Sequence, residues 1–443
     1  MSSQDQLVPQ ASVGETLGVL ADVVIPLMAR GAIVRRQRVV DALDRLDADR
    51  RAVRRLQRLR ERYGRGPVLL RAPGRRLALL LAPDDVHRAL GQTPDPFTPA
   101  NLEKRAALSR FQPHAALISE GAARAERRRV NEDALQPERP IHRFGDEIVR
   151  KVAEEADALL DDARRAGTLT WDRFPPAWWR MVRRVVLGDA AREDHWITDT
   201  LATLRADANW AYLAPKRRGL RDEFLRRVEQ YVQGAEPAGL ASLVASAPAG
   251  SYPHEQVPHW LFAFDAAGMA SIRTLALLDA HPEQAARARD EVGAADLSAP
   301  ADLPFLRACV LEAVRLWPTT PAILRDTSAP TSWGSGTLPA GAAVLVFAPF
   351  FHRDDERLPY ADSFSPDLWM GEQDRDWPLI PFSEGPGVCP GRNVVLLTTS
   401  SLLAKVVAAR PPRPGSGRAL DSGRPLPRTL SPFRLTFDLG RSG

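Results

Sequence analysis

Apolar residues recur at helical spacing through most of the middle of the chain, and short apolar runs broken by Pro and Gly replace them near both ends. From Glu15 to Arg62 the pattern is helical and rich in Leu, Ala and Arg, while residues 1 to about 14 are polar and expected to be loosely held. Tyr63-Gly64-Arg65-Gly66-Pro67 reads as a turn, and Val68 to Arg71 and Leu77 to Leu81 as two strands about a second turn, Pro73-Gly74. Asp84-Asp85 reads as the cap of a short helix. Residues 92–115, with Pro94, Pro96, Pro99 and Pro113, read as one long irregular loop, and such loops in compact proteins are usually functional. Helices are predicted over 146–162, 174–188, 196–212, 221–233, 257–280, 282–292 and 303–317. After Pro318, Ala342 to Phe347 and Phe433 to Phe437 read as strands, and the Pro/Gly-rich stretch 411–427 as a surface linker. The predicted fold class is mainly α with a small β region. A loose stretch, 1–14, precedes a single domain, 15–443.

Composition narrows the function classes. Of 443 residues, 44% are hydrophobic and 26% charged, which fits neither a disordered chain nor a membrane chain. The net charge is +5, with much of the excess in arginines such as the run from Arg50 to Arg55. No zinc spacing or RNA-binding signature accompanies them, so they read as a solvated helix face and nucleic acid is not expected as a partner. Two cysteines, Cys309 and Cys389, make no disulfide framework and fit a reducing compartment. The apolar run Leu17 to Ala29 is broken by Asp22 and Pro26 and falls short of the roughly 20 residues of a membrane span. The start, MSSQDQLVPQ, has no basic side chain, so a cytoplasmic monomer without a membrane span is expected.

The candidate chemistry sits in Pro381-Phe382-Ser383-Glu384-Gly385-Pro386-Gly387-Val388-Cys389-Pro390-Gly391-Arg392, just before an apolar helical run from Asn393 to Leu403. Backbone amides of a glycine-rich loop at a helix start can donate to sulfur and lower the cost of a thiolate. Small neighbours leave room for a flat group against the backbone. One cysteine cannot build a zinc or iron–sulfur cage; it can be an inert core thiol, a nucleophile or a single axial ligand. Cys309, on an apolar helix, reads as a buried, unreactive thiol.

The segment resembles the haem-binding loop of the cytochromes P-450, Phe-x-x-Gly-x-x-x-Cys-x-Gly, through Phe382, Gly385, Cys389 and Gly391. Three more segments resemble that family in the right order: Glu312-Ala313-Val314-Arg315, the stretch from Phe351-His352-Arg353-Asp354 to Phe364-Ser365-Pro366-Asp367-Leu368-Trp369, and Ala267-Gly268-Met269-Ala270-Ser271 in a long apolar helix. The resemblance implies a triangular, mostly helical prism holding haem b (iron protoporphyrin IX), with Cys389 as the iron ligand and Glu312 and Arg315 as a structural pair. It implies that Arg124, Arg128 and Arg325 meet the haem propionates, and that Ser271 and Gly268 take part in oxygen activation. Substrate contacts are expected from Ala263, Ala266, Ala267, Thr320 and Ile323, with the loop 92–115, Trp210 to Leu213 and Leu430 to Phe433. The implied reaction inserts one atom of O2 into a lipophilic small molecule, with electrons from NAD(P)H through a separate ferredoxin or flavodoxin.

Three departures qualify the resemblance. Gly387 stands where the family most often has Arg or His, and Arg124 is expected to substitute. Leu368 stands where many members have an Arg joined to the Glu312–Arg315 pair, leaving backbone carbonyls to satisfy it. Ala270 stands where an acid usually relays protons, and Asp265, about 240° away around the helix, is a poor replacement. Water or a substrate hydroxyl would then deliver protons, or the reaction is a coupling, isomerisation, dehydration or peroxide-driven one. A non-catalytic haem-binding protein is the remaining alternative.

Overall fold

The computed structural model describes residues 6–72, 74–234, 239–371, 376–409 and 420–439. Pro73 of the expected turn, residues 1–5 of the polar start and 411–419 of the expected linker lie outside the described residues.

The two longest apolar patterns become the core. Val257–Ala280, here the central helix, is buried along nearly its whole second half, and Arg392–Ala409, the loop helix, likewise. A helix that is apolar on all sides must be surrounded by other elements. These two pack against each other and against Pro304–Leu316, and Gly145–Ala166 lies on the far side of the loop helix. By length and composition both could cross a membrane, but 78% and 72% of their apolar windows are buried inside the fold, so they serve as core helices.

A second core surrounds the five-stranded sheet, whose order is Val68–Leu70, Leu77–Leu79, Ala343–Phe347, Ala322–Thr327, Phe97–Thr98. Ala343–Phe347 is buried at every position, as a central strand covered on both faces requires. Ala322–Thr327 alternates, so Ile323 and Arg325 share its buried face. Each fully buried large apolar side chain is worth about 1.5–3 kcal/mol, so both cores contribute heavily.

Several expectations are corrected. Residues 7–11 are not loose: Leu7 bridges Thr337, Gln10 bridges Leu69, and Val8 and Ala11 are buried against the sheet. The stretch 92–115 is not one irregular loop; it holds the edge strand Phe97–Thr98 and the helix Leu102–Leu108, which Asn101 caps through the Lys104 amide at 2.8 Å. Asp84 and Asp85 sit inside the first turn of Pro83–Gly91 rather than capping it, because Pro83 starts the helix after Ala82. Phe433 belongs to a short turn, and the last strand is Thr436–Asp438, paired with Thr168–Thr170.

Candidate functional site

The segment before the loop helix closes on itself through backbone hydrogen bonds. The Cys389 amide donates to the Phe382 carbonyl at 2.9 Å, and the Val388 amide to the Gly385 carbonyl at 3.0 Å. Gly385 has φ +63, and a Cβ there would stand 2.6 Å from the Leu90 carbonyl oxygen. Only glycine lets this loop dock on Pro83–Gly91. A second tie joins the same elements: the His87 imidazole meets the Glu384 carboxylate at 2.9 Å.

Within the loop, Cys389 keeps accessible surface whereas Cys309 is buried. Burial pushes the Cys389 thiol up, opposed by a hydrogen bond from the Gly391 amide and by the nearby charges of Arg128 and Arg392. A Cβ on Gly391 would lie 4.0 Å from the sulfur, so that backbone approaches it closely. The Cys309 thiol is pushed well above its ordinary value by burial and then by Glu291 and Glu312, so it stays an inert thiol.

Cations gather at the loop. Arg128 donates to the Val388 carbonyl at 2.8 Å and to Glu132 at 2.6 Å. Arg325 is buried; its Nε donates to Thr93 at 3.1 Å and one terminal nitrogen to the Leu324 carbonyl at 3.0 Å. Its other terminal nitrogen is 2.9 Å from where a Gly387 Cβ would be. Arg325, not Arg124, therefore fills the room left by the missing side chain at 387. Arg124 has a buried Nε without a hydrogen-bond partner. Burial, then Arg124, lowers Arg325 to about 10, and burial, then Arg128, lowers Arg124. Among the described residues neither Arg124 nor Arg325 has a carboxylate at ion-pair distance. Two unbalanced guanidiniums beside a loop thiol fit a flat ligand that brings one soft metal site and anionic arms.

On the central helix, Ser271 is fully buried and its hydroxyl donates to the Ala267 carbonyl at 3.0 Å. Ala267 and Ala270 are buried beside it, and Ala263 and Ala266 are half-buried. Gly268 faces elsewhere: a Cβ there would meet Trp178 Nε1 at 3.0 Å and Phe174 at 3.3 Å. The helix is one continuous α-helix through this point, and Gly268 serves close packing on Phe174–Leu187. Asp265 is engaged by Arg205 at 2.7 Å. Thr320 is exposed, and Ile323 is buried in the sheet core.

The Glu312–Arg315 pair is fully buried, bonded through two contacts of 2.6 and 2.7 Å. Arg315 spends its other donors on the carbonyls of His352, Ala361, Tyr360 and Ser363. Glu312 also accepts the Ser365 amide at 2.8 Å and the Trp369 indole at 2.9 Å. Trp369, adjacent to Leu368, thus supplies a donor that the sequence reading missed. A polar-edged aromatic next to the expected cation was the available signal. Thr93 was missed as well, because it lies 232 residues from the arginine it orients.

The whole architecture matches solved cytochromes P450. It overlays the retinoic acid-bound cyanobacterial CYP120A1 with a TM-score of 0.67 at 15% identity, covering 80% of this chain and 86% of that one. It overlays CYP102L1 with a TM-score of 0.65 at 18% identity, covering 82% and 93%. The cytochrome P450 family model matches residues 267–409, which contain the Ser271 face, the buried Glu312–Arg315 pair and the Cys389 loop. Residues 267–409 thus match the cytochrome P450 family, within the fold of solved P450s. Among curated relatives, this chain is 35% identical over 143 residues to cyclooctat-9-en-7-ol 5-monooxygenase of Streptomyces melanosporofaciens, covering 30% of this chain and 31% of that protein. It is 29% identical over 168 residues to drimenol monooxygenase of Persicaria hydropiper, covering 34% and 33%. These matches therefore span about a third of each relative's length. The cofactor implied by the family is haem, and the thiol, its Gly391 amide and the unbalanced Arg124 and Arg325 are the residues suited to hold it.

Proposed function

We propose that this P450 is a haem-thiolate monooxygenase that inserts one atom of O2 into a lipophilic small molecule. Electrons would come from NAD(P)H through a separate ferredoxin or flavodoxin, the protein working as a cytoplasmic monomer. The observation that carries this reading is the thiol of the half-buried Cys389, held by the Gly391 amide beside two cations that, among the described residues, lack a carboxylate partner. Haem b, when bound, supplies the oxidising chemistry. Cys389 would hold its iron through sulfur, while Arg325, placed by Thr93, and Arg124 would neutralise its propionates. Ser271, whose hydroxyl donates to the Ala267 carbonyl, would hold a proton at that hydroxyl. Ala263, Ala266 and Ala267 present small apolar surface, which suits a bulky apolar substrate.

The buried Ala270 relays no proton, and Asp265 is occupied by Arg205. The two relatives named above act on alcohols, as their names state. A substrate hydroxyl next to Ser271 would deliver the proton that Ala270 cannot. The second reading, favoured by the same alanine, is an atypical haem-thiolate reaction such as coupling, isomerisation, dehydration or peroxide-driven oxidation.

Reduction under carbon monoxide tests the ligand. Cys389→Ala should lose the red-shifted thiolate absorption, and Cys309→Ala should keep it. Turnover with redox partners and O2, compared with hydrogen peroxide alone, tests the reaction. Efficient product from peroxide alone would replace the monooxygenase reading with the second one.

A further inference from the structure

A separate cavity lies against the central helix, between the 317–321 turn and the segment 429–433. Met269 and Arg273 bring the helix to its wall. Arg273 is about 200° around the helix from Ser271, so the cavity backs onto the face opposite the Ser271 hydroxyl. Its water-sized space is about 30 Å³, which suits two waters or a carboxylate head.

The wall carries three arginines and one acid, Arg30, Arg35, Arg273 and Asp49. Arg30 and Asp49 neutralise each other through contacts of 2.6 and 3.2 Å, and Thr429 also donates to Asp49 at 3.2 Å. Arg35 and Arg273 remain. Arg35 donates to the carbonyls of Gly31 and Thr319. Arg273, 8% exposed, donates to the carbonyls of Trp317 at 3.1 Å and Leu430 at 2.6 Å, and its buried Nε has no partner. Among the described residues neither has a carboxylate at ion-pair distance. Burial and neighbouring guanidiniums lower Arg35 to about 10 and Arg273 to about 9, the direction expected where positive charge is enclosed without an anion. Of the other acids nearby, Asp265 is held by Arg205, and Asp44 accepts no hydrogen bond from either arginine.

A protein gains little from enclosing a buried Arg273 beside a half-buried Arg35 unless something of opposite sign arrives. We propose that this cavity is a binding site for a carboxylate-sized anion, held between Arg35 and Arg273. Binding of a free anion is independent of the oxidation reading, whereas binding of a molecule's carboxylate end rests on it. Its occupant is either a free small anion or the carboxylate end of a molecule whose body passes Pro321 and Phe433, which line the cavity next to Thr320 and in the 430–433 stretch.

The test uses the haem-loaded protein, with the carbon monoxide spectrum of each sample showing that the haem site is intact. Acetate replaces a bulky sulfonate at constant ionic strength while the unfolding temperature is followed. A saturable rise of about 2 °C is expected in wild type. Arg273→Met should weaken the response at least tenfold, and Arg35→Gln provides a second variant should the first not fold. Haem absorption is then titrated with a long-chain carboxylate and its matching primary alcohol. A roughly tenfold preference for the carboxylate, lost in either variant, assigns the anion to the bound molecule itself. Acetate stabilisation without that preference assigns it to a free ion. No saturable acetate response and no preference in wild type, or responses unchanged in both variants, would overturn the site.

Discussion

Gly387 has no side chain, and the Arg325 guanidinium uses the room, 2.9 Å from where a Cβ would stand. The absence at 387 was plain in the sequence, but its replacement was not. Arg325 was expected only as a further cation, and its reach toward 387 is set by Thr93 from a distant turn. The arrangement makes the two positions exclusive rather than additive. Arg325→Leu should lower the haem retained after gel filtration about tenfold, since losing one charge-assisted contact costs about 1.5–3 kcal/mol. Gly387→Arg should be as damaging in wild type, because two guanidiniums would compete for one space. In the Arg325→Leu background the same Gly387→Arg change should restore haem. Losses that simply add in the double variant would show that the two positions do not share that space.

At the scale of the element, helices that are apolar on all sides were legible by their length, and the central helix has the bounds predicted for it, Val257–Ala280. What one face of that helix does was not legible. Gly268 was expected to take part in oxygen activation, yet it lets Trp178 lie against the helix, its indole donating to the Phe264 carbonyl at 3.0 Å. Gly268→Ala should therefore cost about 1–3 kcal/mol by overpacking, read from the denaturation midpoint. Trp178→Phe, which is smaller at that edge, should recover part of the loss. An unchanged midpoint in Gly268→Ala would mean that the two helices separate freely. The short helix Pro304–Leu316 carries the other element-scale case. Glu312 takes four donors, and Trp369→Phe removes one of them without changing charge. A buried carboxylate left short of a donor costs about 1–3 kcal/mol. Leu368→Arg in that background should restore stability if the neighbouring position can reach the same carboxylate.

Over the whole molecule, the stretch after Pro318 was the hardest to read, because its structure rests on single polar side chains rather than on periodicity. His352 shows why. Fully buried, it shares a hydrogen bond with the Arg315 carbonyl at 3.2 Å and accepts the Ile380 amide at 3.0 Å. The amide needs an unprotonated ring nitrogen, so the imidazole must be neutral in the folded protein. Burial, followed by the charge of Arg315, lowers it from 6.5 to about 3. The unfolded chain then binds a proton that the folded one refuses at every pH between those values, so stability falls as pH drops below about 6.5. At pH 5 the loss from this one group is about 2 kcal/mol. His259, lowered to about 4 by burial, acts in the same direction. Carboxylates held low by arginines, such as Glu155 among Arg192, Arg180 and Arg184, also lose stability in acid, but only as pH falls past the ordinary carboxylate range near 4.5. The two causes therefore separate by window. Unfolding temperature should decline from pH 7 to 5, before those carboxylates titrate. His352→Gln, which can still donate and accept but cannot be protonated, should be less stable at pH 7.5 and should decline less steeply over that interval. An equal slope in wild type and variant would remove His352 as the source, leaving His259 as the buried imidazole to replace next.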